Sequence, residues 1–187
     1  MGIGLIVSIS VLVLLVLILI STYNAIIRRR NEVDNAFGGM DVQLKKRYDL
    51  IPNLVSTVKQ YAEHEQTTLT KLTELRAKAS KPETPADERV NIDNEISANI
   101  RNLMLNVENY PNLKANENFL HLQASLNEVE AQISASRRAF NAAVTDYNNG
   151  IQVFPNSIIA GMMGMKQKAV FIIPEVEREN VSVDKLF

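Results

Sequence analysis

The 187-residue sequence has no cysteine and no tryptophan, and only two histidines and seven glycines. Without cysteine there is no disulfide framework, thiol nucleophile, Cys-ligated zinc or lipidated cysteine. The glycines form no phosphate-cradling loop. His64-Glu65 suggests a zinc-protease helix, but the second histidine of that motif would stand where Thr68 is. A metal site built from His64, His121 and a carboxylate would have to join separate helices, and a solvated helix-face histidine is the simpler reading. No Ser-His-Asp arrangement supports nucleophilic catalysis. The formal net charge of −1 offers no basic field for nucleic acid. The expectation is therefore no enzyme, no cofactor, no metal and no small-molecule substrate.

Charge is also missing from one end. No charged side chain precedes Arg28, so all 20 Lys and Arg and all 21 Asp and Glu follow it. The mean hydropathy near zero is thus the average of an apolar segment and an ordinary polar body. Residues 3–20, IGLIVSISVLVLLVLILI, are long enough to cross a bilayer, which takes about 20 residues at 1.5 Å each. A cleaved signal peptide would have a basic residue before the run and a small-residue site after it; neither is present. A retained single-pass anchor is expected, and with it the lipid bilayer as a partner. Tyr23 stands where an interfacial aromatic would, and Arg28, Arg29 and Arg30 follow. The positive-inside rule then puts the N-terminus outside and the body in the cytoplasm, across the cell (inner/cytoplasmic) membrane.

Beyond the arginines the pattern is helical. Val33, Phe37, Met40, Leu44, Tyr48, Ile51, Leu54 or Val55, Val58, and Tyr61 or Ala62 step by threes and fours, and Leu69, Leu72 and Leu75 follow on a shifted register. One helix continuous with the span is expected through Ala79, running ~88 Å from Ser21. Pro52 lacks the N–H that would reach the Tyr48 carbonyl, so a kink is expected there. Thr84 and Pro85 are expected to cap and open a second helix carrying Ile96, Ile100, Leu103 and Val107. The third has the cleanest period: Phe119, Leu122, Leu126, Val129, Ile133, Ser136, Phe140, Ala143 or Val144, Tyr147 and Ile151. A 3.5-residue repeat this long indicates coiled-coil-like packing. The fold expected is all-α: a transmembrane helix (1–27), an elongated antiparallel bundle of three long helices (28–155), then a short fourth helical element and an extended tail (156–187).

Four segments resemble the LemA family: YNAIIRRRNEV (23–33), DVQLKKRYDLIPNLVSTVKQYAEHE (41–65), YPNLKANENFLHLQ (110–123) and YNNGIQVFPNSIIAGMMGM (147–165). They occur in the family's order and cover most of the chain. The resemblance implies a bacterial, membrane-anchored, all-α protein of a family without an agreed biochemical function. It also implies neighbours among membrane proteins, such as an integral-membrane zinc protease. Phe37-Gly38 departs from the pattern, in which a tryptophan precedes a small residue. The lipoprotein cysteine of some relatives is absent as well, which favours the transmembrane anchor.

Three groups of residues remain as candidate interaction sites. Asp41, Lys45, Lys46, Arg47 and Asp49 form a dense charged patch. It reads either as a solvated face with i,i+4 pairs or as a register lock, with Arg47 and Asp49 pairing with Arg138, Glu128 or Glu130 on the third helix. Asn24 and Asn148 share the pattern Tyr-Asn-x-x-Ile and could cap helices or fix register. The Gly- and Met-rich segment around Ile158 and Met162 could pack on the bundle end, touch the bilayer or contact another subunit. Together these point to a membrane-bound helical scaffold that forms a homo-oligomer, or to an adaptor for another membrane protein.

Overall fold

The computed structural model describes residues 2–81 and 83–171. The expected extended tail, including Ile172, Ile173, Pro174, Val181 and Val183, lies outside the described residues. Within them all regular structure is helical: α1 (Gly2–Lys59), a 3-10 turn (Glu63–Glu65), α2 (Gln66–Ala79), α3 (Ala86–Asn106), a second 3-10 turn (Val107–Asn109), α4 (Pro111–Lys114), α5 (Glu117–Gln152) and α6 (Asn156–Met162). The described chain divides into two compact units, one of residues 2–40 and 136–170, the other of residues 41–135 and 171.

In the first unit, the large apolar side chains of residues 3–20 on α1 are all 43–82% exposed. This is the reverse of a water-soluble helix, which turns one apolar stripe inward. Cover begins at Thr22 and Ile26 and continues at Val33 and Met40, all buried. From α5, the buried side chains of this unit are Phe140, Val144, Tyr147 and Ile151. Phe37 meets Phe140 edge-on, with ring centroids 6.0 Å apart. Farther along, Asp146 pairs with Arg29 at 3.1 Å, so residue numbers fall on α1 as they rise on α5 and the two helices run antiparallel. A Cβ at Gly150 would stand 2.3 Å from Nη1 of Arg29; the glycine lets that guanidinium lie against α5.

After α5 the chain turns into α6, where Ala160 is buried. The Met165 amide donates to the Ala160 carbonyl at 3.0 Å and the Gly164 amide to the Gly161 carbonyl at 3.1 Å. This is a Schellman ending, and Gly164 supplies the left-handed residue it requires, with φ of 63°. The chain then returns along α5.

In the second unit, α1 continues its stripe through Leu44, Tyr48, Ile51, Leu54 and Val58. It does not run on to Ala79 as its composition suggested. It ends at Lys59, the backbone leaves helical geometry at Ala62 (φ −133°, ψ 81°), and α2 starts at Gln66. No glycine or proline causes this break. The cause is tertiary: the break lets Leu69, Leu72 and Leu75 reach the core while α2 packs on α3. Asn106 holds the corner with its amide 3.1 Å from both Glu65 oxygens, and Asn116 donates to the Tyr61 hydroxyl at 3.1 Å. The start of α3 also differs by a residue. Pro85 occupies the cap position, and the Thr84 hydroxyl donates back to the Lys78 carbonyl at 2.8 Å. Ile96, Leu103 and Val107 are buried, as are Phe119, Leu122, Leu126 and Ile133 of α5. Each such side chain contributes about 1.5–3 kcal/mol relative to exposure.

Candidate functional site

The charged patch at the start of the second unit is not a solvated face throughout. Arg47 falls between Leu44 and Ile51 on the inward stripe and is 1% exposed. Its Nη1 donates to Asp93 Oδ1 at 2.8 Å and to Ser97 Oγ at 2.6 Å, both on α3. Its Nη2 pairs with Glu130 on α5. One guanidinium thus ties three helices together, with Asp93 fully buried and Glu130 half exposed. Asp49 takes another course, receiving Lys45 at 2.9 Å in an exposed i,i+4 pair. Arg138 is exposed on α5.

A second cation joins α3 to α1. Arg89 donates to Asp41 at 2.6 Å and to the Thr84 carbonyl at 3.3 Å. A third cation, Arg76 of α2, donates its Nε to the Tyr48 carbonyl at 2.8 Å. That carbonyl is the one Pro52 leaves without its helical donor, and α1 passes through Pro52 to Lys59 with the proline ring exposed. The Tyr48 hydroxyl is buried without a hydrogen-bond partner among the described residues. Burial pushes this phenol well above its usual range. The Asp93 charge adds to the shift and Arg47 and Arg89 oppose it.

The hollows beside these pairs are small. One of about 230 Å³ is lined by residues including Arg47, Ser97 and Glu130; another of about 190 Å³ includes Asp41, Tyr48 and Arg89. Both fall below the roughly 300–1,000 Å³ of small-molecule sites. Among the described residues no group of three or more His, Cys, Asp or Glu side chains is arranged to hold a metal. His64 and His121 are both exposed, on a 3-10 turn and on α5 respectively.

In the first unit, Asn148 grips the returning chain. Its Nδ2 donates to the Lys168 carbonyl at 2.8 Å and its Oδ1 accepts the Lys168 amide at 2.9 Å. The Lys168 ammonium reaches Asp34 at 2.6 Å and lies 5.9 Å above the Tyr147 ring, whose hydroxyl donates to the Lys166 carbonyl at 3.2 Å. The Asn24 carbonyl accepts from Arg28 Nε at 3.4 Å. Tyr23, Arg28 and Arg30 are exposed, whereas Arg29 is drawn to Asp146. Ile158 and Met162 point away from the unit, 57% and 84% exposed.

The family model of the LemA family matches residues 36–184. The chain belongs to the LemA family. One curated relative of this LemA-family chain is Protein LemA of Metamycoplasma hominis, 27% identical over 163 residues, covering 87% of this chain and 74% of the relative. Two others are Magnetosome protein MamQ 2 of Paramagnetospirillum magneticum, 35% identical, and Magnetosome protein MamQ of Magnetospirillum gryphiswaldense, 33% identical. Each of these matches spans 69 residues, 37% of this chain and only a quarter of the magnetosome protein.

Arg76, Arg89, Asp93, Ser97 and Lys168, with Asp34 and Asp146, are members of these networks that sequence reasoning missed. Asp93 carried one available signal: it lies between Ile92 and Ile96, both buried, so a carboxylate stands on an apolar stripe.

Proposed function

We propose that this LemA-family chain is a membrane-anchored, non-enzymatic helical scaffold, with its N-terminus outside, its body in the cytoplasm, and self-association along its long helices. The observation that carries the non-catalytic part is the use of its buried charge. Arg47, Asp93, Ser97 and Glu130 are engaged with one another across three helices, rather than presented to a cavity of ligand size. The anchor is supported by a segment near the N-terminus that is apolar, exposed and of spanning length. The orientation is supported by Arg28, Arg29 and Arg30 following that segment. The 36-residue α5, longer than a typical globular helix of about 11–12 residues, supplies the extended surface that assembly along the helices uses.

Multi-angle light scattering of the detergent-solubilised full-length protein tests the assembly. A mass several times that of the 20.9 kDa chain supports a scaffold, and a monomer overturns it. Cross-linking in intact membranes tests the alternative of an adaptor for another membrane protein. Links between copies through α5 support the scaffold, and a dominant foreign membrane protein replaces it with the adaptor. A C-terminal reporter fusion tests the orientation.

A further inference from the structure

The first unit ends in a corner with an apolar exterior. Val153 is 52% exposed, Phe154 81%, Ile158 57% and Met162 84%. Ile158 and Met162, four apart on α6, and Phe154, in the turn before it, line the outside of this corner, while Ala160 faces inward. A set of large apolar side chains this exposed is not needed to fold the unit, and a contiguous apolar patch marks a contact surface.

The position of the corner identifies the contact. Because α5 runs antiparallel to α1 and Gly150 lies against Arg29, the residues after Gly150 continue toward the apolar segment. The Asn156 side chain, at the start of α6, donates its Nδ2 to the Gly150 carbonyl at 2.9 Å and keeps α6 at that level. On α1 the cover reaches Ile26 and Thr22 and stops, and every residue from 3 to 20 is exposed. After the Gly164 turn the chain goes back, with Lys166 and Lys168 beside Tyr147 and Asn148. The corner is therefore the part of this unit that approaches the end of the apolar run.

Charge agrees with that position. No acidic residue occurs from 147 to 171, and Lys166 there is exposed. Arg28 and Arg30 are exposed at the same end of the unit. An apolar patch flanked by exposed cations is the pattern of a surface-lying membrane element, which buries its apolar face about 5–10 Å into the headgroup and acyl boundary.

We propose that the corner at residues 153–163 is a second membrane contact, with Phe154, Ile158 and Met162 entering the headgroup–acyl boundary of an anionic bilayer beside the transmembrane helix. It rests on the reading of residues 3–20 as a membrane span. The bilayer holds this unit at two points, and the second point stops the unit from swinging about the first.

The absence of native cysteine makes the test direct. Full-length Phe154→Cys, Met162→Cys and Leu12→Cys variants are labelled with an environment-sensitive fluorophore in vesicles of phosphatidylcholine and phosphatidylglycerol. Quenching is then compared between lipids carrying a nitroxide high or low on the acyl chain. Labels at 154 and 162 are expected to shift to the blue and to be quenched most by the shallow nitroxide, and the label at 12 most by the deep one. If the label at 12 is quenched while those at 154 and 162 report water, the corner contact is wrong and the anchor stands. If the labels at 154 and 162 are blue-shifted but untouched by either lipid, the corner meets protein, a second copy of the chain included, and the proposal is overturned. If the label at 12 is itself in water, both the anchor and the corner contact are refuted.

Discussion

Arg76 supplies the hydrogen bond that Pro52 cannot: its Nε lies 2.8 Å from the Tyr48 carbonyl, four residues before the proline. A residue that would otherwise weaken α1 thereby becomes the attachment point for α2. Arg76→Ala leaves that carbonyl without its donor and should destabilise the protein by about 1–3 kcal/mol. In a Pro52→Ala background the helix has its own donor again, and the same change should cost about half as much or less. Denaturant unfolding of the four variants gives the coupling, and equal costs in both backgrounds would show that Arg76 acts elsewhere.

The guanidinium of Arg47 faces a fully buried Asp93 and a half-exposed Glu130. Arg47→Met should cost about 3–5 kcal/mol, because it takes the guanidinium away from a fully buried carboxylate. Glu130→Gln should cost about 1 kcal/mol or less, because water already screens that side of the pair. Adding Asp93→Asn to Arg47→Met should recover part of the loss. The order of the three midpoints in denaturant unfolding checks this, and a Glu130→Gln loss equal to that of Arg47→Met would contradict it.

Tyr48 should make the protein sensitive to alkali. Its folded-state phenol resists ionisation, chiefly through burial, while the phenol of an unfolded chain ionises near pH ~10. The raised folded value contributes stability in full below pH ~10. That contribution falls as pH rises toward the folded value, by at most about 1.4 kcal/mol per pH unit. Tyr48→Phe removes the effect without removing the ring. The stability difference between wild type and Tyr48→Phe should be nearly flat from pH 6 to 9 and move in favour of the variant above pH 10. A difference that stays constant to pH 11 would refute the assignment.

Asn148→Ala should release the returning chain. Two hydrogen bonds to Lys168 disappear together, worth about 1–3 kcal/mol. Hydrogen exchange should accelerate about tenfold or more at the Lys168 amide and change little at the Leu72 amide in α2. Asn148→Asp keeps an acceptor for the amide but has no donor for the carbonyl, so its effect should be intermediate.

Much of this was legible in the sequence for a simple physical reason: repeated burial leaves a repeated pattern. Phe119, Leu126, Ile133, Phe140 and Tyr147 follow one another at intervals of seven, two helical turns, and all are buried on α5. The apolar segment before Arg28 was equally plain. The end of α1 was not, because Gln60 to Glu65 contains no residue that disfavours a helix, and the break follows from where α2 must pack. Arg47 sits at a buried position of a visible stripe, yet its charge suggested a solvated face. Glu130 was among the partners its chemistry allowed. Asp93 and Ser97 were not found, since nothing local to α3 reports which helix will face it.

The side-chain amide of Asn148 has the donor and acceptor of a peptide group. α5 spends its own main-chain bonds internally, but at this one place it offers an extended strand what a sheet edge would offer. A true edge repeats along its length and can recruit strand after strand. This one is a single residue long and Lys168 already occupies it. The fold gains a place to dock extended chain without gaining a template on which sheet could grow.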